Sequence, residues 1–332
     1  MSFQDPALPQ SSRDDPAPFS TAALFIGAIA LGAVLGLLVP ASDKVYSRGI
    51  DTTLLVMIFL LFFELRLGSI FKAFRNVRFL AISWSANFLI IPVIGFGIAS
   101  LFFAGQPLLF TGLMIYFLAP CTDWFLGFTR MAKGDTELGA VLIPINMITQ
   151  LVLFPLWLWL LARNTGLVDF GAVPNMLIQW FALPLLGAQA MRFALESLVP
   201  PDRVCRVLSW TSRLVPYVLA ILIIQIFSSH IGVLAVNPGV FATVAAAIFV
   251  FWVGALLIGE GLSRLGRLDH PQQALLSMTM AARNAPLMLA LTAIAIPDQP
   301  LMLAVIVSGM LVEIPLLTAL KQLQLSRAAN GG

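Results

Sequence analysis

About ten apolar windows, each near the roughly 20 residues a helix needs to cross a bilayer core, fill this chain between Ala22 and Leu320. They run Ala22–Val39, Thr52–Leu65, Phe79–Phe103, Leu108–Phe128, Leu138–Leu161, Pro174–Phe193, Leu208–Phe227, Val240–Ile258, Ala274–Ala295 and Leu301–Leu320. No join between them is long enough to hold a soluble domain. Of 332 residues, 59% are hydrophobic and 11% charged, where a soluble domain carries roughly 25% charged residues. Backbone groups inside a bilayer must be satisfied within the chain, so windows of this length predict helices and an all-α polytopic membrane protein. The expected organisation is a cytoplasmic tail at 1–20, a single transmembrane domain at 21–323 and a cytoplasmic tail at 324–332.

Ten spans divide into two sets of five, about 21–165 and 172–323. An odd-numbered repeat inserts with opposite topology in its two copies, which is the plan of many secondary transporters. Spans four and nine are each interrupted by a proline beside a charge, in Ala119-Pro120-Cys121-Thr122-Asp123 and Ala282-Arg283-Asn284-Ala285-Pro286. Charge and irregular backbone at membrane depth are tolerated around a polar cavity. Two crossed broken helices at equivalent places therefore point to a transporter. Spans five and ten also match in outline, with Pro144 and Asn146 in one and Glu313 and Pro315 in the other.

Orientation is set by lysine and arginine. If both tails and the even-numbered joins lie on one side, the other side keeps only Lys44, Arg48 and Arg163 in its joins. That bias places both termini in the cytoplasm; the expected location is the plasma (inner) membrane. The net charge of +3 reflects this topology; the basic residues are scattered over joins without interleaved aromatics, so no nucleic acid partner is implied. The N-terminal tail lacks a basic run followed by a cleavage site and does not read as a signal peptide. Gly32 and Gly36 in span one are read as internal packing of small residues.

Three ionisable side chains fall well inside the windows: Asp123, Arg283 and Glu313. Each would cost about 2.5–3.5 kcal/mol if it faced lipid at mid-bilayer, so each is expected to point inward. Asp123 and Arg283 occupy matching places, and an ion pair where the broken helices meet is the least costly arrangement. Glu313 is left as the group suited to take up and release a proton. Asn87, Thr122, Asn146, Gln150, Thr279 and Asn284 add uncharged polar groups at internal depth. Asn146 and Gln150, four residues apart, share a helix face. Cys121 comes directly after the proline of the break, where a thiol can face the cavity; with Cys205 in a join, no disulfide is expected. The chain contains no His-Glu-x-x-His run, Gly-x-Ser-x-Gly elbow or P-loop, so no enzyme, cofactor or metal site is expected.

Leu118 to Asp135, together with Leu138 to Asn146 and Gln150, resembles spans four and five of the bile acid:sodium symporter superfamily. Within it, Cys121, Asn87 five residues before Pro92, and Leu311-Val312-Glu313-Ile314-Pro315 make the chain most similar to the arsenical-resistance permeases of the Acr type. The resemblance implies a ten-helix fold with an inverted five-helix repeat, a core domain holding the crossed broken helices, and a panel domain that rocks against it. It implies transport roles for Cys121 and Glu313, and export of arsenite or a similar small oxyanion or metalloid in exchange for protons. The sodium-coupled branch fits less well: where it carries sodium ligands this chain has Phe125, Leu126, Thr279 and Arg283, and a fixed cation there would repel sodium and can stand in its place. The alternative reading is an organic-anion transporter, sodium-independent or sodium-coupled, with Arg283 meeting the substrate carboxylate. The partners implied are the substrate, protons and the lipid bilayer.

Overall fold

The computed structural model describes residues 18–38, 43–65, 76–122, 125–162, 178–235, 238–296 and 299–330, and these are helical apart from short joins, with no strand among them. The described residues form thirteen α-helices: α1 Pro18–Leu38, α2 Asp43–Glu64, α3 Val77–Ser85, α4 Ile91–Phe103, α5 Pro107–Leu118, α6 Phe125–Met131, α7 Thr136–Ala162, α8 Leu183–Leu198, α9 Pro201–Ala235, α10 Pro238–Leu265, α11 His270–Ala281, α12 Ala285–Ala295 and α13 Pro300–Asn330. Among the described residues, five helical runs are long and apolar enough to cross a membrane: Val77–Phe103, Thr136–Leu161, Pro201–Ser229, Gly239–Leu265 and Pro300–Arg327. The fold is that of a polytopic membrane protein. The last helix runs on to Asn330; within it Gln324 is buried and its Nε2 donates to Ser277 Oγ at 3.1 Å.

The chain forms two compact units. The first, Met1–Leu65 with Pro174–Ile231, holds α1, α2, α8 and most of α9. Gly32 lets α1 approach α9 closely, since a Cβ there would lie 2.8 Å from the Ile224 carbonyl oxygen. Two side chains of α8 take the last carbonyls of α2, which have no partner within their own helix. Arg192 donates from NH1 to Phe63 O and Glu64 O at 2.9 Å, and Gln189 donates to Phe62 O at 2.7 Å.

The second unit, Arg66–Val173 with Gly232–Gly332, holds α3 to α7 and α10 to α13. A π-helical turn, Ala86–Ile90, joins α3 to α4. Its cause is local: Pro92 has no N–H to give the preceding turn, and the Asn87 amide competes for the Ser83 carbonyl at 3.1 Å. The Ala132-Lys133-Gly134-Asp135 join is a tight reversal. Lys133 adopts φ 57°, a Cβ on Gly134 would lie 2.6 Å from Thr129 Cγ2, and Asp135 Oδ1 accepts the Leu138 N–H at 2.9 Å to start α7.

Candidate functional site

Both expected breaks exist in the second unit. α5 stops at Leu118 because Pro120 drives the residue before it out of helical space, and Ala119 is extended at φ −110°, ψ 109°. α11 stops at Ala281 with Ala282 extended at φ −85°, ψ 138°. The freed backbone groups satisfy each other. Cys121 N–H donates to Ala282 O at 3.1 Å and Asn284 N–H donates to Ala119 O at 2.8 Å, an antiparallel bridge that pairs Pro120 with Arg283. Asn284 then starts α12, its Oδ1 accepting the Leu287 N–H at 3.3 Å while its Nδ2 donates to Thr122 Oγ1 at 2.9 Å. Pro286 sits in the first helical turn, where its missing N–H is harmless.

Arg283 is fully buried, and its guanidinium is held by oxygens. NH1 donates to Phe117 O at 3.0 Å; NH2 donates to Thr279 O and Met280 O at 2.7 Å each and to Asn87 Oδ1 at 3.1 Å. The three carbonyls belong to the closing turns of α5 and α11, where helix carbonyls lack partners and the helix dipole is negative. The Phe251 ring lies 5.6 Å from the guanidinium carbon and stacks on Phe117 at 4.1 Å. Asp123 lies outside the described residues, so the ion pair expected with Arg283 falls there too.

Glu313 reaches the same place from α13. Its Oε1 accepts the Arg283 main-chain N–H at 3.1 Å and its Oε2 accepts the Tyr116 hydroxyl at 2.9 Å. Tyr116 was not among the residues that sequence reasoning selected. The available signal was weak: the chain has three tyrosines, and two of them, Tyr116 and Tyr217, fall inside apolar windows. Tyr116 fits because α13 carries Gly309 opposite its ring; a Cβ there would lie 2.4 Å from Tyr116 Cε2.

The uncharged polar residues divide. Asn87 and Asn146 both donate to Thr279 Oγ1, at 3.3 and 3.4 Å, and Asn87 ties this group to Arg283. Gln150 stays apart from it. With Leu118, Ala119, Trp157 and Met288 it lines a small cavity against the α5 break. Gln150 is 3% exposed, and neither its amide nitrogen nor its amide oxygen has a protein partner; the Trp157 indole nitrogen is likewise buried without an acceptor. Cys121 is fully buried at the break.

Comparison with known proteins gives two findings. A family model described as the Sodium Bile acid symporter family matches residues 52–242. The arsenical-resistance protein Acr3 of Corynebacterium glutamicum is 26% identical over 310 residues, covering 89% of this chain and 80% of that protein.

Proposed function

This chain belongs to the Sodium Bile acid symporter family, and we propose that it is a proton-coupled exporter of arsenite or a similar small oxyanion or metalloid, acting in the plasma membrane. The observation that carries this reading is the junction of Cys121 and Glu313. The Cys121 N–H bonds to the carbonyl of Ala282, and the next residue, Arg283, gives its own N–H to Glu313. A soft thiol suited to a trivalent metalloid and an acid suited to a proton thus share one crossing of two broken helices. In this reading Cys121 engages the metalloid or lines its path and Glu313 carries the exchanged proton. Asp123 with Arg283, Asn284, Asn87, Asn146 and Thr279 hold the crossing, and Gln150 lines the substrate path at the water-sized cavity beside it.

The organic-anion alternative asks for a guanidinium free to meet a carboxylate. That of Arg283 has NH1 and NH2 on four oxygens and is fully buried, with Nε its one nitrogen unpartnered among the described residues, which favours the metalloid. We further read the architecture as ten spans in an inverted five-helix repeat with both termini cytoplasmic. It is supported by the way each compact unit draws helices from both halves of the chain.

Arsenite uptake into everted membrane vesicles under a proton gradient tests the function. The native chain should accumulate arsenite above an empty-vector control, and Cys121→Ser and Glu313→Gln should each lose most of that uptake. Uptake that is no greater than the control, or that both variants retain, overturns the reading.

A further inference from the structure

The family description names sodium, and oxygen ligands of the kind sodium prefers are present: three main-chain carbonyls from the ends of α5 and α11 and the amide oxygen of Asn87. They do not fit sodium as they stand, because every one of them already accepts an N–H of Arg283 at 2.7 to 3.1 Å. We propose that the Arg283 guanidinium is a resident cation filling an oxygen cage at the crossing of the broken helices. The site is then closed to alkali ions, and the cage becomes a binding site for a small monovalent cation only when that side chain is removed.

Four features carry the proposal. The guanidinium is fully buried, so its charge is answered by protein rather than water. It lies where two helices end, and uncapped carbonyls at two converging C-termini attract a cation whatever its source. The ring of Phe251, stacked on Phe117, closes one side with a π face, which suits a cation. Glu313 binds the main-chain N–H of the same residue, so the carboxylate is served by the backbone of Arg283 while the side chain is turned to the carbonyls. A proline-broken helix normally needs an outside group to satisfy its ends. Here the chain supplies one covalently, at a fixed position and with no dependence on ion concentration.

The inference rests on the transporter reading only for its consequence, which is sodium-independent transport; the test does not need transport. The purified protein, reconstituted in lipid discs, is melted in choline, sodium, potassium or guanidinium chloride at equal millimolar concentration. The native protein should melt at the same temperature in choline, sodium and potassium. Arg283→Ala should melt lower in choline by on the order of 10 °C, and millimolar guanidinium should restore most of that loss saturably, with sodium giving a smaller recovery. Arg283→Met, which refills the space with an apolar chain, should show no such recovery.

Saturable stabilisation of the native protein by sodium overturns the proposal, and so does a folded Arg283→Ala that no cation stabilises. If Arg283→Ala folds only when prepared in guanidinium and is lost on exchange into choline, the proposal holds; if it folds in neither, the cage is not a cation site and the proposal fails. Failure of arsenite uptake by the native chain would remove the functional reading and leave these melting results unaffected.

Discussion

Gln150 shows how a single side chain separates stability from function. Burying an amide without partners costs about 1–3 kcal/mol, and both polar atoms of Gln150 are buried and unpartnered beside an equally unpartnered Trp157 nitrogen. A residue kept only for the fold would be apolar here, as its cavity neighbours Leu118, Ala119 and Met288 are. Gln150→Met should therefore leave the melting temperature unchanged or raise stability by about 1 kcal/mol while lowering arsenite uptake; a variant that melts lower and transports normally would count against the cavity as a substrate contact. Gln150 was legible in the sequence because a polar side chain deep in an apolar window is conspicuous, and so were Asn87, Asn146, Thr279, Arg283, Asn284 and Glu313. Tyr116 was not, since a tyrosine in an apolar window is compatible with ordinary packing. The carbonyls of Phe117, Thr279 and Met280 were invisible for a deeper reason: every residue has one, and only the place where a helix stops decides which are left to bind a cation.

Helix ends carry the next level of organisation. Five of the ten windows coincide with helical runs long and apolar enough to cross a membrane among the described residues, because hydrophobicity over roughly 20 residues is the quantity that the bilayer selects. The windows were less informative about ends and interruptions. α2 begins at Asp43, where the window began at Thr52, because Asp43, Lys44, Arg48 and Asp51 lower the local hydropathy without breaking the helix. The π-helical turn at Ala86–Ile90 depends on a contest between Asn87 and the backbone that no hydropathy window registers. Proline and its neighbours did reveal the two breaks, and the pairing across them rests on a few bonds, of which Asn284 makes one with its side chain, to Thr122, while its Oδ1 caps α12. Asn284→Ala should cost about 1–3 kcal/mol by removing the helix start and the bond to Thr122. Asn284→Ser, which retains a capping oxygen, should recover roughly 1 kcal/mol of it. Thermal melting of both variants checks this, and equal losses would show that the cap contributes nothing.

At the scale of the molecule, the composition of the two units bears on how the chain enters the membrane. The first unit takes its helices from residues before 65 and again from 174 onward, and the second unit takes the stretch after each of these. On the proposed reading of two halves of five spans, those halves are required to insert oppositely, because an odd number of crossings returns the chain to the other side. The charges agree with that requirement. Lys72, Arg75, Arg78, Arg130, Lys133, Arg264 and Arg267 fall in joins assigned to one face, against Lys44, Arg48 and Arg163 on the other. Reporter fusions give the decisive measurement. A cytoplasm-active fluorescent reporter should light at either terminus and after Lys133, and a reporter active only outside the cytoplasm should respond when fused after Arg163, between the two halves. If both termini and the Arg163 join report the same side, the halves contain even numbers of crossings. The two breaks would then no longer be copies of one motif seen from opposite faces, and their meeting at Pro120 and Arg283 would need an origin other than the repeat.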